Sequence, residues 1–198
     1  MDKNEMFFFY KNALQGAITS PLCAEYKNEW RGCGDNKEKL VKLALRQQSA
    51  PYFATFCYQG KGLTKDYCKQ EFGDYINGRV FNDCDGVKGF SYGMFIDVPQ
   101  VEEMALDVSQ FLWCDDTNVS IPQTKCPRLY VSNRSNLNIS LDGYNSIAIY
   151  LFDESTINIE DADNESNVIV YKYSKDAKVE LGKYCFADVK IFDKELRL

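Results

Sequence analysis

The chain has 198 residues, 45% hydrophobic and 14% aromatic, with a formal net charge of −6, eight cysteines and no histidine. That apolar content suffices for a core, yet no run approaches the roughly 18 apolar residues of a membrane helix. The acidic balance disfavours nucleic acid and membrane surfaces as partners, and without histidine the commonest general base and the usual catalytic triads are missing.

The opening Met1-Asp2-Lys3-Asn4-Glu5-Met6-Phe7-Phe8-Phe9-Tyr10 places acids ahead of a very short apolar run, unlike a secretory signal. Asn12 to Ile18 reads as a first helical turn or an extended arm. Ser20-Pro21 then predicts a helix through about Arg31, ended by Gly32-Cys33-Gly34. Asp35-Asn36-Lys37-Glu38 has the spacing of a capping box, with Asp in place of Ser or Thr. The stripe Leu40, Val41, Ala44, Leu45 and Gln48 predicts a second helix, broken at Ser49-Ala50-Pro51. Gly60-Lys61-Gly62 is a hinge, because it lacks the length and the preceding strand of a phosphate loop. Thr64 caps a third helix carrying Tyr67, Cys68, Glu71, Phe72, Tyr75 and Ile76, closed by Asn77-Gly78.

Residues 1–79 therefore read as a small helical module with 12 basic and 9 acidic residues. Lys39, Lys42 and Arg46 on its second helix read as a solvated face rather than a phosphate-binding stripe. Its aromatic residues exceed what so small a core can bury. The surplus marks Trp30, Tyr52, Phe53, Phe56, Tyr58, Phe72 and Tyr75 as a candidate docking interface.

After Arg79 the periodicity turns from helical to alternating, and residues 80–198 carry 11 basic and 20 acidic residues. Short β segments are expected at Val80-Phe81 and from Phe90 to Val98, with repeat units at Ile96-Asp97-Val98 and Leu106-Asp107-Val108. A longer turn containing Phe111-Leu112-Trp113 follows. From Val119 the unit is apolar, any, apolar, then a polar turn: Val119-Ser120-Ile121, Leu129-Tyr130-Val131, Leu137-Asn138-Ile139, Ile147-Ala148-Ile149, Ile157-Asn158-Ile159, Val168-Ile169-Val170, Val179-Glu180-Leu181 and Val189-Lys190-Ile191. The units start 10, 8, 10, 10, 11, 11 and 10 residues apart. Each has the period of two that belongs to a strand, with the middle residue expected to face water. Two such units make one coil of a β-solenoid. An antiparallel β-sandwich or meander gives the same spacing. The expected class is α+β: a helical docking module at 1–79 followed by a short-strand β-solenoid at 80–198, the antiparallel arrangement being the alternative. The charged, amphipathic tail Phe192 to Leu198 suits the last open edge.

No C-x-x-C pair occurs among Cys23, Cys33, Cys57, Cys68, Cys84, Cys114, Cys126 and Cys185, so the usual zinc spacings are absent. No metal or cofactor is expected. Asp161-Ala162-Asp163-Asn164-Glu165 begins like a calcium loop, but Ser166 stands where Gly is required and Lys172 where Glu is required. The paired acids Glu102-Glu103, Asp115-Asp116, Asp153-Glu154 and Glu160-Asp161 fall in turns, where carboxylates are usually solvated. No enzymatic activity is expected from them.

The run Phe9-Tyr10-Lys11-Asn12-Ala13-Leu14-Gln15-Gly16-Ala17-Ile18-Thr19-Ser20-Pro21-Leu22-Cys23-Ala24-Glu25-Tyr26 resembles small proteins encoded by tailed phages of gut Bacteroidetes, the crAss-like group. Leu43-Ala44-Leu45-Arg46-Gln47-Gln48-Ser49 and Tyr130-Val131-Ser132-Asn133 resemble them as well. The resemblance covers most of the chain and implies a structural part of the virion, in the tail or at the fibre attachment. It brings no catalytic residues with it. The expected partners are other virion proteins, further copies of the chain and a host surface glycan, and the expected location is the virion, assembled in the bacterial cytoplasm. A carbohydrate-binding or carbohydrate-cleaving β-solenoid is the alternative, and an intracellular interaction protein made during infection is the third reading. The missing disulfide and signal patterns predict reduced cysteines throughout. Rapid alkylation under denaturant with non-reducing mass mapping should find eight thiols, and two or more native disulfides would overturn this.

Overall fold

The computed structural model describes residues 24–34, 36–45, 64–75, 80–82, 91–97, 100–101, 108–114, 117–121, 128–132, 134–161, 165–183 and 185–191. Helices α1 (Ala24–Gly32), α2 (Lys37–Leu45) and α3 (Lys65–Phe72) come first, α3 continuing as a 3-10 turn at Gly73–Tyr75. The cap of α2 is Asn36, one residue later than the spacing suggests. Its side-chain oxygen accepts from the Lys39 amide at 2.9 Å, which meets one of the open amides of the first turn. Thr64 caps α3 as expected, accepting from the Tyr67 amide at 3.2 Å. Lys37 ties α2 to α3 by donating to the Glu71 carboxylate at 3.1 Å and to the Glu71 carbonyl at 3.0 Å.

Twelve strands follow among the described residues: β1 (Val80–Asn82), β2 (Ser91–Ile96), β3 (Gln100–Val101), β4 (Val108–Trp113), β5 (Thr117–Ile121), β6 (Arg128–Val131), β7 (Asn136–Leu141), β8 (Ser146–Leu151), β9 (Thr156–Asp161), β10 (Asn167–Lys172), β11 (Lys178–Leu181) and β12 (Ala187–Ile191). They form a seven-stranded sheet, β1-β2-β4-β6-β8-β10-β12, and a five-stranded sheet, β11-β9-β7-β5-β3. Apart from the antiparallel β1–β2 pair, the strand pairings are parallel. From β2 onward consecutive strands enter opposite sheets, so the chain winds as a β-solenoid with two strands per coil. The antiparallel sandwich or meander does not describe it.

Register shows how the repeat builds the core. Leu129 pairs with Ile149, Ile149 with Val170, and Val170 with Val189, steps of 20, 21 and 19 residues. In the other sheet Leu137 pairs with Ile157 and Ile157 with Val179. Each coil therefore takes two of the sequence units and sets like residues on like. Leu129, Ile149, Val170, Leu137 and Ile157 are all fully buried. At about 25 cal/mol per Å² of apolar area removed from water, these facing rows are the main source of stability.

The corners repeat too. Ser135 and Ser155 donate their hydroxyls to the carbonyls of Ser132 at 2.6 Å and Phe152 at 2.7 Å, closing the corners between β6 and β7 and between β8 and β9. Between β7 and β8, Asn145 donates its amide to the carbonyls of Asp142 and Gly143, both at 3.1 Å. Gly143 (φ 70°) and Asp153 (φ 52°) take the left-handed backbone that the turn chemistry anticipates.

Two readings are corrected. Phe111-Leu112-Trp113 is the end of β4 and pairs with β2 and β6, so it is strand and not turn. The coils accordingly begin at Ser91 in β2, and Ile96 closes that strand instead of opening a unit. Contacts also cross residue 79: α2 packs against β2 and β4, while Lys65 and Lys69 reach Asp97 at 2.6 and 2.9 Å.

Ile157→Asp should cost about 3 kcal/mol or more, because it leaves an unpaired charge in the core row. Asn158→Asp, on the opposite face, should cost about 1 kcal/mol through one lost side-chain hydrogen bond. Thermal melts of the two variants test the assignment, and equal shifts would contradict it.

Candidate functional site

The outer face of the seven-stranded sheet carries stacked aromatic rings. Tyr130, Tyr150 and Tyr171 occupy one register row, with ring centroids 4.8 and 4.9 Å apart and planes inclined by 15° and 18°. Phe152 and Tyr173 form a second column, 5.0 Å apart and inclined by 11°. These separations match the spacing of neighbouring strands. The rings therefore stand on the sheet face to face along the solenoid axis, each stacked pair worth about 0.5–1.5 kcal/mol beyond its buried area. Lys190 extends the first row, with its ammonium 5.7 Å from the Tyr171 centroid.

This geometry limits what the ladder can bind. A sugar stacks on an open ring face, and in the first row Tyr150 lies between Tyr130 and Tyr171 while Tyr171 lies between Tyr150 and Lys190. What Tyr150, Tyr171 and Tyr173 turn outward is ring edges and hydroxyls. Tyr130 departs from the expected water-facing middle position, since it is only 1% exposed. Burial is the main reason its phenol pKa is raised, and it pushes that of half-buried Tyr173 up to about 12, with Tyr150 the next cause for both.

The outer face of the five-stranded sheet carries an amide row instead. Asn118, Asn138 and Asn158 are in register, and Asn158 donates its amide to the Asn138 side-chain oxygen at 2.9 Å. Asp161 is the exception to the solvated turn acids. It sits at an inward register position beside Leu141, is buried, and accepts from the Ser166 amide at 3.0 Å. Burial first, and the charge of Asp161 second, push the pKa of the buried Cys185 thiol up, which keeps it protonated and unreactive. Spacing alone had no means of marking this pair. Cys33, Cys68 and Cys114 are buried as well. Among the described residues no group of three or more His, Cys, Asp or Glu side chains is placed to hold a metal ion. No helix among them is long and apolar enough to cross a membrane.

Of the candidate docking residues, Phe72 is 2% exposed and packs beneath Lys37, whose ammonium lies 5.9 Å from its ring. It is a core residue of the α2–α3 pair and offers no contact surface. Trp30 lies in α1 and Tyr75 in the 3-10 turn. Their side chains, together with Tyr52, Phe53, Phe56 and Tyr58, lie outside the described residues. Asp97 is the link from the helices to the coils. Burial opposes its charge, but hydrogen bonds from Lys65 and then Lys69 outweigh that and hold its pKa below the ordinary 3.8.

Exposed apolar surface gathers at the C-terminal end of the solenoid. Of the large hydrophobic residues that are exposed, Leu181, Phe186, Val189 and Ile191 lie there, and only Tyr144 is elsewhere among the described residues. Comparison of the chain with protein-family models, curated proteins and solved structures finds no significant match.

Raising the phenol pKa of Tyr173 from 10.0 to about 12 means that folding favours its protonated form. That contribution is complete below about pH 10 and is lost as pH rises toward about 12. Tyr173→Phe should flatten the loss of stability across this window in denaturant titrations. A curve identical to that of the unsubstituted protein would contradict it.

Proposed function

We propose that this chain is a non-enzymatic structural component of a tailed phage particle, part of the tail or of the fibre attachment, that works as an oligomer. The observation carrying this reading is the distribution of surface on the solenoid. Its two outer faces hold a ring row and an amide row whose members contact one another within the chain, and among the described side chains four of the five exposed large hydrophobic residues collect at one end. Such a body is stiff along its axis and joins through its end, which suits a stem or spacer in an assembly. The resemblance to crAss-like phage proteins supplies the setting.

In this reading the segment 1–79, with its surplus of aromatic residues, docks onto other virion proteins. The acidic coils of 80–198 project away and self-associate. The contacts from α2, Lys65 and Lys69 onto the first coils favour transmission of that attachment into the solenoid as one stiff unit. The carbohydrate reading draws no support from Tyr150 and Tyr171, whose ring faces are taken by neighbouring rings and Lys190.

Quantitative mass spectrometry of particles purified from infected cells tests the assignment. The protein should be present at a fixed ratio to other virion proteins through successive purification steps. Abundance in the infected lysate together with loss from the particles would overturn the reading in favour of an intracellular role.

A further inference from the structure

We infer that two copies of this chain join end to end through β12, pairing antiparallel about a two-fold axis that passes at Val189. β12 is the outermost strand of the seven-stranded sheet, and β10 pairs with it on one side only. Among the described residues no strand pairs with its other edge, which leaves a template for another strand. The apolar residues at this end are open: Val189 continues the buried row Leu129–Ile149–Val170 yet is 38% exposed, Ile191 is 65% exposed and Phe186 is 71% exposed. A core row that runs into solvent is completed by another β-layer carrying matching residues.

The strand is its own match. Ala187-Asp188-Val189-Lys190-Ile191 has opposite charges on either side of a central valine. A two-fold axis perpendicular to the sheet reverses the second strand while keeping its inner face inward. Pairing centred on Val189 sets Asp188 opposite the partner's Lys190, and Lys190 opposite the partner's Asp188. On the inner side Val189 meets the partner's Val189, and Ala187 meets the partner's Ile191. Both charge pairs are attractive, both inner contacts are apolar, and the seven-stranded sheet runs on unbroken into its copy. Within one chain Lys190 and Asp188 lie 3.4 Å apart, and both are largely exposed, so each can turn to a cross-strand partner without desolvation. The opposite edge of the same sheet is the three-residue β1, a shorter and differently sequenced strand, so joining tail to tail is favoured over head to tail. This inference rests only on the oligomeric part of the proposed function. Absence from particles combined with a dimer in solution would defeat the phage reading and leave this one standing.

Light scattering coupled to size-exclusion chromatography of the full chain should give a dimer. Asp188→Lys sets lysine against lysine twice across the axis and should raise the dimer dissociation constant about tenfold or more. Lys190→Asp should do the same by setting acid against acid, and it decides the matter if the first variant misfolds. Combining the two restores both pairs and should restore the dimer. A monomeric unsubstituted chain would overturn the inference. So would a dimer that neither single exchange weakens, or a folded double exchange that stays monomeric.

Discussion

Each coil of the solenoid hangs on the one before it by parallel backbone hydrogen bonds, and the near-constant length of a coil decides where side chains fall. Because Leu129, Ile149, Val170 and Val189 stand 20, 21 and 19 residues apart, a residue type that recurs at this interval is stacked on itself. Leucine and isoleucine become continuous core rows, tyrosine becomes a ring ladder, and asparagine becomes an amide chain. The same lattice makes the corners repeat, with Ser135 and Ser155 closing equivalent turns. A one-residue slip in any coil would carry its apolar pair to the outside and its polar middle residue into the core. Register is therefore strongly specified, and the ladders are consequences of it.

The repeat from Val119 onward was legible because alternation and turn chemistry agree there. Each of the eight units falls within a strand, and the polar corners fall between them. Two kinds of feature were not legible. Periodicity is blind to which strands pair, so parallel stacking came only with the register, and so did the meeting of Tyr130, Tyr150 and Tyr171. Upstream the pattern weakens: Phe111-Leu112-Trp113 is apolar without alternation, a run that reads equally as turn filling or as strand. Of the candidate docking residues Phe72 was misjudged, since helical spacing places it on a face but does not say which face α2 covers. Asp161 was missed for a related reason. Its neighbours are turn acids, and only the register beside Leu141 sets it inward.

A solenoid whose side chains stack into ladders along its length and whose last coil exposes apolar residues is suited to joining end to end. The described acids either face solvent or, like Asp97 and Asp161, make contacts within the fold. The helices add an attachment to the first coils through α2 and the two lysines on Asp97. Among the described residues the helices contact the first coils, and the exposed large apolar residues other than Tyr144 lie at the last.

The parallel stacking of coils is the claim on which the rest depends, and nuclear Overhauser contacts between backbone protons of neighbouring strands test it most directly. The account predicts contacts from Ile147 to Val168 and from Ile149 to Val170, partner numbers rising together along β8 and β10. Contacts in which one number rises as the other falls would mean antiparallel hairpins and would contradict the solenoid.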